Sequence, residues 1–166
     1  MALVLLGCSG GGGEPSPRVT EGSPTPSPIA TATVERTPTL SPEEAVIEAY
    51  LRYWDVYGDG LYDLDTSRLS EVMTGSRLER ALDEVQNLQG EGRAVKIVVE
   101  NRPIVVQLEG DRAVVFDKYE NLSHFIDPVT KEPLSEPGAG EVIRDRVTLT
   151  RIGETWKVLD SVREVE

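Results

Sequence analysis

The chain has little of what several protein classes need: among its 166 residues there is one cysteine and one histidine. A single cysteine excludes an internal disulfide, and with one histidine it also excludes zinc sites built from several such ligands. Basic residues are outnumbered, with 17 Lys and Arg against 29 Asp and Glu and a formal net charge of −12. Because nucleic acid repels such a chain, we expect no nucleic-acid partner.

Long apolar runs are missing too, since no segment approaches the roughly 20 apolar residues of a transmembrane helix. The sequence contains no phosphate-binding glycine loop, serine-hydrolase elbow or basic aromatic patch, and we expect no cofactor. What is present is a hydrophobic content of 39%, which is enough for one modest core. One folded domain is therefore predicted.

The first eight residues form a short apolar segment that ends in Leu5-Leu6-Gly7-Cys8. This ending resembles the lipobox of bacterial lipoproteins, in which the cysteine is acylated and the chain is cut before it. The resemblance implies that residues 1–8 are the remnant of a signal peptide and that Cys8 is lipidated, which anchors the protein to the extracytoplasmic side of the cell membrane. The apolar run is shorter than the usual h-region, so we expect the true translation start to lie upstream. The alternative is a cytoplasmic protein with an unmodified Cys8.

Residues 9–40 have the composition of a disordered tether. They contain six prolines and five glycines, many Ser and Thr, and few large apolar side chains. Such a segment cannot bury enough apolar surface to offset the entropy lost on ordering. A spacer between an acylated cysteine and a folded unit is what an anchored module needs.

The folded part is predicted to begin at Ser41-Pro42-Glu43-Glu44, which combines an N-cap serine, a proline at the first helical position and a Glu three residues after the cap. The first helix is expected to continue until Gly58 and Gly60. Its apolar stripe comprises Val46, Ile47, Tyr50, Leu51, Trp54 and Tyr57.

Two further helices are predicted before the strands. Asp65 or Thr66 can cap a short second helix. Its inward residues are Leu69, Val72 and Met73. Ser76 and Glu79 form a second capping box, and Gly90 marks the end of the third helix. The stripe of the third helix comprises Leu78, Ala81, Leu82, Val85 and Leu88.

After Gly92 apolar and polar residues alternate, as in strands. Four strands in an antiparallel meander are predicted at about 95–108, 112–125, 141–152 and 156–163. The first contains a bend or bulge at 101–103, after which Ile104, Val106 and Leu108 are expected to point inward. A long loop covers 127–140. The predicted class is α+β, with three N-terminal helices packed on one face of a curved, mainly antiparallel four-stranded sheet.

Residues 41–166 resemble the nuclear transport factor 2-like (NTF2-like) superfamily, which includes SnoaL-like and ketosteroid-isomerase-like domains. The resemblance rests on the aromatic first helix with Tyr50, Tyr53 and Trp54, on the order of helices before long hairpins, and on the ending Gly153–Asp160. That ending is similar to the Gly-x-x-Trp-Lys-Val/Ile-x-Asp final strand of such domains. It implies a cone-shaped fold with Trp156 packed inside, near Tyr50 and Trp54. Because the fold carries many functions, it does not specify one.

Acidic residues alternate in phase with apolar strand residues and are predicted to point into the cone; they are Asp117, Asp145 and Asp160. Together with aromatic side chains, such acids form an apolar pocket with a polar lining. The predicted pocket residues are Tyr50, Tyr53, Trp54, Asp117, Tyr119 and Trp156. Apolar surroundings raise the pKa of a carboxyl group toward values useful in acid–base catalysis, which makes Asp117 and Asp160 candidate catalytic groups.

Each of these candidates has a structural alternative. Asp117 and Asp145 can pair with arginines of neighbouring strands, namely Arg112, Arg144, Arg146 or Arg151. His124, at the end of the second strand, is a candidate base at the cone mouth, and the alternative is a histidine that is solvated or hydrogen-bonded there. The acidic run Asp55 to Asp65 does not match a calcium loop, because leucines occupy its ligand positions. No metal site is expected.

These features predict a membrane-anchored extracytoplasmic lipoprotein that presents an NTF2-like ligand- or partner-binding domain without catalysis. Its expected partners are the membrane, through lipidated Cys8, and a small apolar ligand or an envelope protein. One alternative is a SnoaL-like isomerase, cyclase or hydrolase that uses a pocket acid. The other is a scaffold domain of an envelope assembly, which would use the outer sheet face or the loop 127–140.

Overall fold

The computed structural model describes residues 40–164, so the predictions for Cys8, the signal segment and most of the tether lie outside the described residues. The described part has three helices, α1 Pro42–Asp63, α2 Leu69–Val72 and α3 Gly75–Glu91. Its strands are β1 Ala94–Lys96, β2 Val99–Glu100, β3 Ile104–Glu109, β4 Arg112–Asn121, β5 His124–Ile126, β6 Glu141–Ile152 and β7 Thr155–Arg163. The predicted α+β class and helix-first order are confirmed. None of these helices is long and apolar enough to span a membrane.

The main sheet is antiparallel, but it has five strands and not the predicted four. β4 pairs with β6 and β6 with β7, while β2 and β3 both pair with β4. The predicted first strand is split by the bend at 101–103, which explains the extra strand. The predicted second strand is also split, and its last part, β5, pairs with β1 in a separate two-stranded sheet. No helix or strand interrupts the predicted loop between Ile126 and Glu141.

The first helix begins as predicted and ends later. The Ser41 hydroxyl accepts a hydrogen bond from the Glu44 backbone N–H at 3.2 Å, and the Glu44 carboxylate accepts one from the Ser41 backbone N–H at 2.7 Å. Gly58 and Gly60 do not end α1, which is terminated by Leu64 in the left-handed conformation (φ 55°). Gly60 serves close packing instead. A Cβ there would lie 2.8 Å from Leu69 Cδ2 and 3.0 Å from the Asp65 carbonyl oxygen.

The capping prediction for the third helix was wrong. Thr74 occupies the N-cap, and Gly92, not Gly90, ends α3 with a positive φ of 66°. The Ser76 hydroxyl donates to Asp160 Oδ1 on β7 at 2.8 Å and forms no capping box with Glu79. A tertiary partner has therefore replaced the local one.

Two leucines predicted for the helix stripes are not core residues, since Leu51 and Leu82 are each 41% exposed. On α3 the buried stripe is Arg77, Ala81, Val85 and Leu88. The helix is thus rotated slightly from the predicted orientation. An arginine takes an inward position, and Leu82 lies at the edge.

Strand phase was predicted correctly where no bulge intervenes. The inward residues Val115, Asp117, Tyr119, Ile143, Asp145 and Val147 are all buried. On β3 the prediction was wrong for Ile104 and Val106, which are exposed, and right for Leu108, which packs against the core. The register shifts between Val105 and Gln107, so Val105 takes the inward position before the bulge. The register shifts again on β7, where Thr148 pairs with Asp160 but Leu149 pairs with Val158. A one-residue bulge moves all later side chains to the other face.

The core lies between the helices and the inner face of the sheet. Its members include Val46 and Leu61 from α1, Leu69 from α2, and Leu149 and Val158 from the sheet, all at most 1% exposed. Trp156 is 8% exposed and belongs to this core, as predicted. The Arg151 guanidinium carbon lies 5.7 Å from the centre of the Trp156 ring. The predicted neighbours Tyr50 and Trp54 form ring contacts with each other, and among residues 40–164 neither forms one with Trp156.

Candidate functional site

A cavity of about 800 Å³ opens between α1, α3 and the inner side of the strands. The aromatic part of its wall includes three residues of α1 and Tyr119 of β4, and further apolar residues come from α3, β1, β2, β5 and the segment between β1 and β2. Tyr53 and Tyr57, four residues apart and thus on one helix face, stack with an interplanar angle of 6° and ring centroids 5.6 Å apart. The Trp54 ring lies edge-on to Tyr119, with centroids 5.2 Å apart. The volume is typical of small-molecule sites.

Arg77 is the buried basic group of this cavity and is 7% exposed. Its Nε donates a hydrogen bond to the Tyr53 hydroxyl at 2.8 Å, and its guanidinium lies 4.3 Å from the centre of the Tyr57 ring. Among residues 40–164, no carboxylate forms an ion pair with Arg77. The guanidinium is therefore in contact with tyrosine side chains and not with a carboxylate.

The other arginines of the lining have carboxylate partners. Their ion pairs are Arg80 with Asp160 at 2.7 Å, Arg93 with Glu91 at 2.5 Å and Arg163 with Asp145 at 3.8 Å. The hydrogen bond from Arg80 is the largest of the effects that lower the pKa of the Asp160 carboxyl group. In the Arg80 and Arg93 pairs both partners are exposed, so solvent screens the charges and each pair contributes little to stability. In the Arg163 pair the arginine is exposed but Asp145 is buried.

Two lining carboxylates accept hydrogen bonds from buried tyrosines. The Tyr119 hydroxyl donates to Asp145 Oδ2 at 2.8 Å, and the Tyr57 hydroxyl donates to Glu84. Burial, followed by the bond to Asp145, raises the pKa of Tyr119, and burial raises that of Tyr57. Both tyrosines are therefore neutral donors at ordinary pH. Trp54 Nε1, in contrast, is buried without a hydrogen-bond partner.

Asp117 is fully buried but lies outside the cavity lining. Its carboxylate accepts hydrogen bonds from the Tyr50 hydroxyl at 2.9 Å, the Asn101 side chain at 2.7 Å and the Arg102 backbone N–H at 2.7 Å. It thus fastens the bend at 101–103 to α1. The alternative in which Asp117 pairs with arginines of neighbouring strands was wrong.

The other predicted arginine pairs also differ from those in the structure. Asp145 is paired with Arg163, which was not among the predicted partners. Of those predicted partners, Arg146 pairs with Glu164 and Arg151 with Asp111. Asp145 therefore pairs with the arginine directly opposite it on β7, while Arg146 and Arg151 pair with other carboxylates.

Half of the predicted pocket residues line the cavity. Tyr53, Trp54 and Tyr119 do, whereas Tyr50, Asp117 and Trp156 do not. Of the catalytic candidates, His124 lines it; the ring is half-buried and its Nδ1 lies 3.3 Å from the Leu122 carbonyl oxygen. Asp160 lies outside the lining, bound to Ser76 and Arg80.

Sequence reasoning missed Arg77, although the sequence carries a signal for it. Arg77 stands four residues before Ala81 and eight before Val85, in phase with the apolar stripe of α3. Charged residues are seldom buried, because taking a charge out of water is costly unless the group has a partner. An arginine in phase with an apolar helix stripe is therefore a candidate functional residue.

A second, smaller cavity of about 470 Å³ lies beside α1, lined among others by Trp54, Gly58 and Ile97. The acidic run of α1 borders it. Asp59 pairs with Arg68 at 3.6 Å, and Asp63 pairs with Lys131 at 3.1 Å. In residues 40–164 no group of His, Cys, Asp and Glu side chains is arranged to hold a metal ion.

No protein-family model matches the chain, and no curated protein does. Solved structures do resemble it. The intermembrane space region of the chloroplast protein ARC6 is similar with a TM-score of 0.61 at 16% identity, over 78% of this chain and 100% of that one. An NTF2-like protein with a cystatin-like fold from Novosphingobium aromaticivorans has a TM-score of 0.45 at 17% identity, over 71% of this chain and 80% of that one. At such identities the ARC6 likeness concerns the fold alone.

Proposed function

We propose that the chain is a lipoprotein anchored through Cys8 to the extracytoplasmic side of the cell membrane, and that its NTF2-like domain binds a small molecule without transforming it. The observation that carries this proposal is the cavity of about 800 Å³. Its aromatic faces offer apolar contact, and Arg77 and its neighbours offer a few placed polar groups. This combination is typical of ligand sites.

The hydrogen bonds of the lining favour binding over catalysis. Three of the four lining carboxylates, Glu84, Glu91 and Asp145, already accept hydrogen bonds from neighbouring side chains, and the fourth, Asp83, is exposed to solvent. A general base needs a free acceptor within reach of the substrate, and a general acid needs a proton to give. An isomerase, cyclase or hydrolase would depend on His124 or on Asp83. Asp83 is exposed, where solvent gives its carboxyl group no apolar surroundings, and no side chain among residues 40–164 hydrogen-bonds the His124 ring to orient it.

A scaffold function is the remaining alternative. It would use the outer sheet face, where Ile104, Val106, Val142 and Val162 are exposed, or the loop 127–140. A cone filled by Trp156 would favour that function, because it would leave no room for a ligand. The open cavity and the position of Trp156 outside its lining support ligand binding instead.

Filling the cavity is expected to abolish binding of an apolar dye. Ser161 lines the cavity and pairs with the inward Val147, so Ser161→Phe places a ring inside. The matched control is Thr155→Phe, on the same strand but exposed. We expect 1-anilinonaphthalene-8-sulfonate to bind the wild type and Thr155→Phe with one site, and Ser161→Phe at least about tenfold more weakly, a loss of 1.4 kcal/mol or more. Equal binding by all three would place the dye elsewhere and contradict the proposal.

Anchoring has its own test, motivated by Cys8 and the polar segment 9–40. Expressed in a bacterium from its native gene, the protein is expected to partition into detergent, with an acyl-modified Cys8 in its mass spectrum. The control Cys8→Ser removes the thiol that receives the lipid and should leave the protein in the aqueous phase. Wild-type protein in the aqueous phase with a free thiol would contradict the anchor.

A further inference from the structure

Arg77 is the one arginine of the cavity lining that forms no ion pair with a carboxylate of residues 40–164. It is 7% exposed, and its partners are the Tyr53 hydroxyl, at 2.8 Å, and the face of Tyr57, at 4.3 Å. Burial raises the pKa of both tyrosines, so neither supplies negative charge at ordinary pH. A buried charge normally has an ionic partner, because desolvation is costly.

The lining carboxylate that shares Tyr57 with Arg77 does not fill this role. Glu84 accepts the hydrogen bond from the Tyr57 hydroxyl and forms no ion pair with Arg77. The guanidinium has five N–H donors in a planar fork, and the tyrosines engage only part of it. The fork suits a carboxylate, which it binds through two parallel hydrogen bonds.

We infer that the ligand of this cavity is a monocarboxylate with a planar apolar body, bound through Arg77. This inference rests on the proposed ligand-binding function and names its ligand class. The planar body would occupy the space beside the stacked Tyr53 and Tyr57 and the edge-on Trp54 and Tyr119 rings. Offset and edge-to-face packing of rings adds to apolar burial.

The lining also limits the charge of the ligand. Four carboxylates, Asp83, Glu84, Glu91 and Asp145, share it with the four arginines. A dianion such as a phosphate monoester would be repelled by them, whereas a single negative charge matches the one guanidinium without an ionic partner.

The test compares three probes that share a naphthalene ring: 2-naphthoate, the neutral alcohol 2-naphthalenemethanol and the dianion 2-naphthyl phosphate. With the full chain, calorimetry is expected to show one site that binds 2-naphthoate about tenfold more tightly than the alcohol, as a hydrogen-bonded charge implies. The phosphate should bind no more tightly than the alcohol.

Arg77→Met keeps the volume and removes the charge, so it should bring the affinities for 2-naphthoate and the alcohol within about threefold of each other. Arg80→Met is the matched control, because Arg80 lines the same cavity but is paired with Asp160, and it should keep the preference. Arg77→Lys keeps the positive charge but loses the planar set of N–H donors, so it should retain part of the preference for 2-naphthoate over the alcohol. If Arg77→Met does not fold, the carboxylate inference is tested by the affinities of the wild type for the three probes and by the reduced preference expected of Arg77→Lys.

The outcomes separate the two claims. Equal wild-type affinity for naphthoate and alcohol would overturn the carboxylate inference and leave ligand binding standing. Tighter binding of the phosphate, or a preference unchanged in Arg77→Met, would also overturn it. If no probe binds the wild type, both the inference and the proposed ligand-binding function fail.

Discussion

Asp117→Ala is expected to lower the free energy of unfolding by about 3–5 kcal/mol, because a buried hydrogen-bond network loses its shared acceptor. The fully buried carboxylate accepts hydrogen bonds from Tyr50, Asn101 and the Arg102 backbone. Alanine leaves three donors without their acceptor, and each buried unpaired donor costs about 1–3 kcal/mol before relaxation. Urea denaturation, followed by circular dichroism, measures the change.

Tyr50→Phe provides the graded comparison. It removes one donor, leaves the other two on the carboxylate and keeps the ring in place, so a loss of about 1–2 kcal/mol is expected. Asp55→Ala, on the exposed side of α1, should change stability by less than about 0.5 kcal/mol. If Asp117→Ala cost less than about 1 kcal/mol, this carboxylate would not be what fastens the bend at 101–103 to α1.

The sequence predicted correctly those features of the fold that depend on residues close together in the chain. The capping box at Ser41 lies within four residues and was read correctly. Strand phase on β4 and β6 needs only alternation, and it correctly placed Asp117, Tyr119 and Asp145 on the buried face. The phase failed near Val106 and at Asp160, because β-bulges depend on pairing with another strand.

The site was predicted less completely, because the periodicity of a sequence specifies which face of a strand or helix a residue occupies, but not where along that face the cavity lies. Asp117 and Tyr119 share a face of β4, yet Asp117 is tied beneath α1 while Tyr119 borders the cavity. The same holds on α1, where Tyr50 lies about one turn, or roughly 5 Å, before Tyr53 and misses the lining. Arg77 was missed because a helical arginine is ordinarily solvated.

Trp156→Ala is expected to cost about 3–5 kcal/mol, the range for removing a large buried ring. Trp156 is 8% exposed and belongs to the core beside Val158 and Leu149. The ring is large enough that its neighbours cannot close the space it leaves, and a small domain has little stability to lose. Chemical denaturation of the wild type and the variant gives the difference.

Arg151→Ala is the matched control, since it removes the guanidinium above the Trp156 ring but keeps the ring, and it should cost less than about 1 kcal/mol. Trp156 lies outside the cavity lining. Without denaturant, and provided that Trp156→Ala is folded, the variant should therefore bind 1-anilinonaphthalene-8-sulfonate with the same affinity as the wild type. A loss of stability below about 1 kcal/mol combined with weaker dye binding would contradict the core assignment and make Trp156 part of the ligand-binding surface.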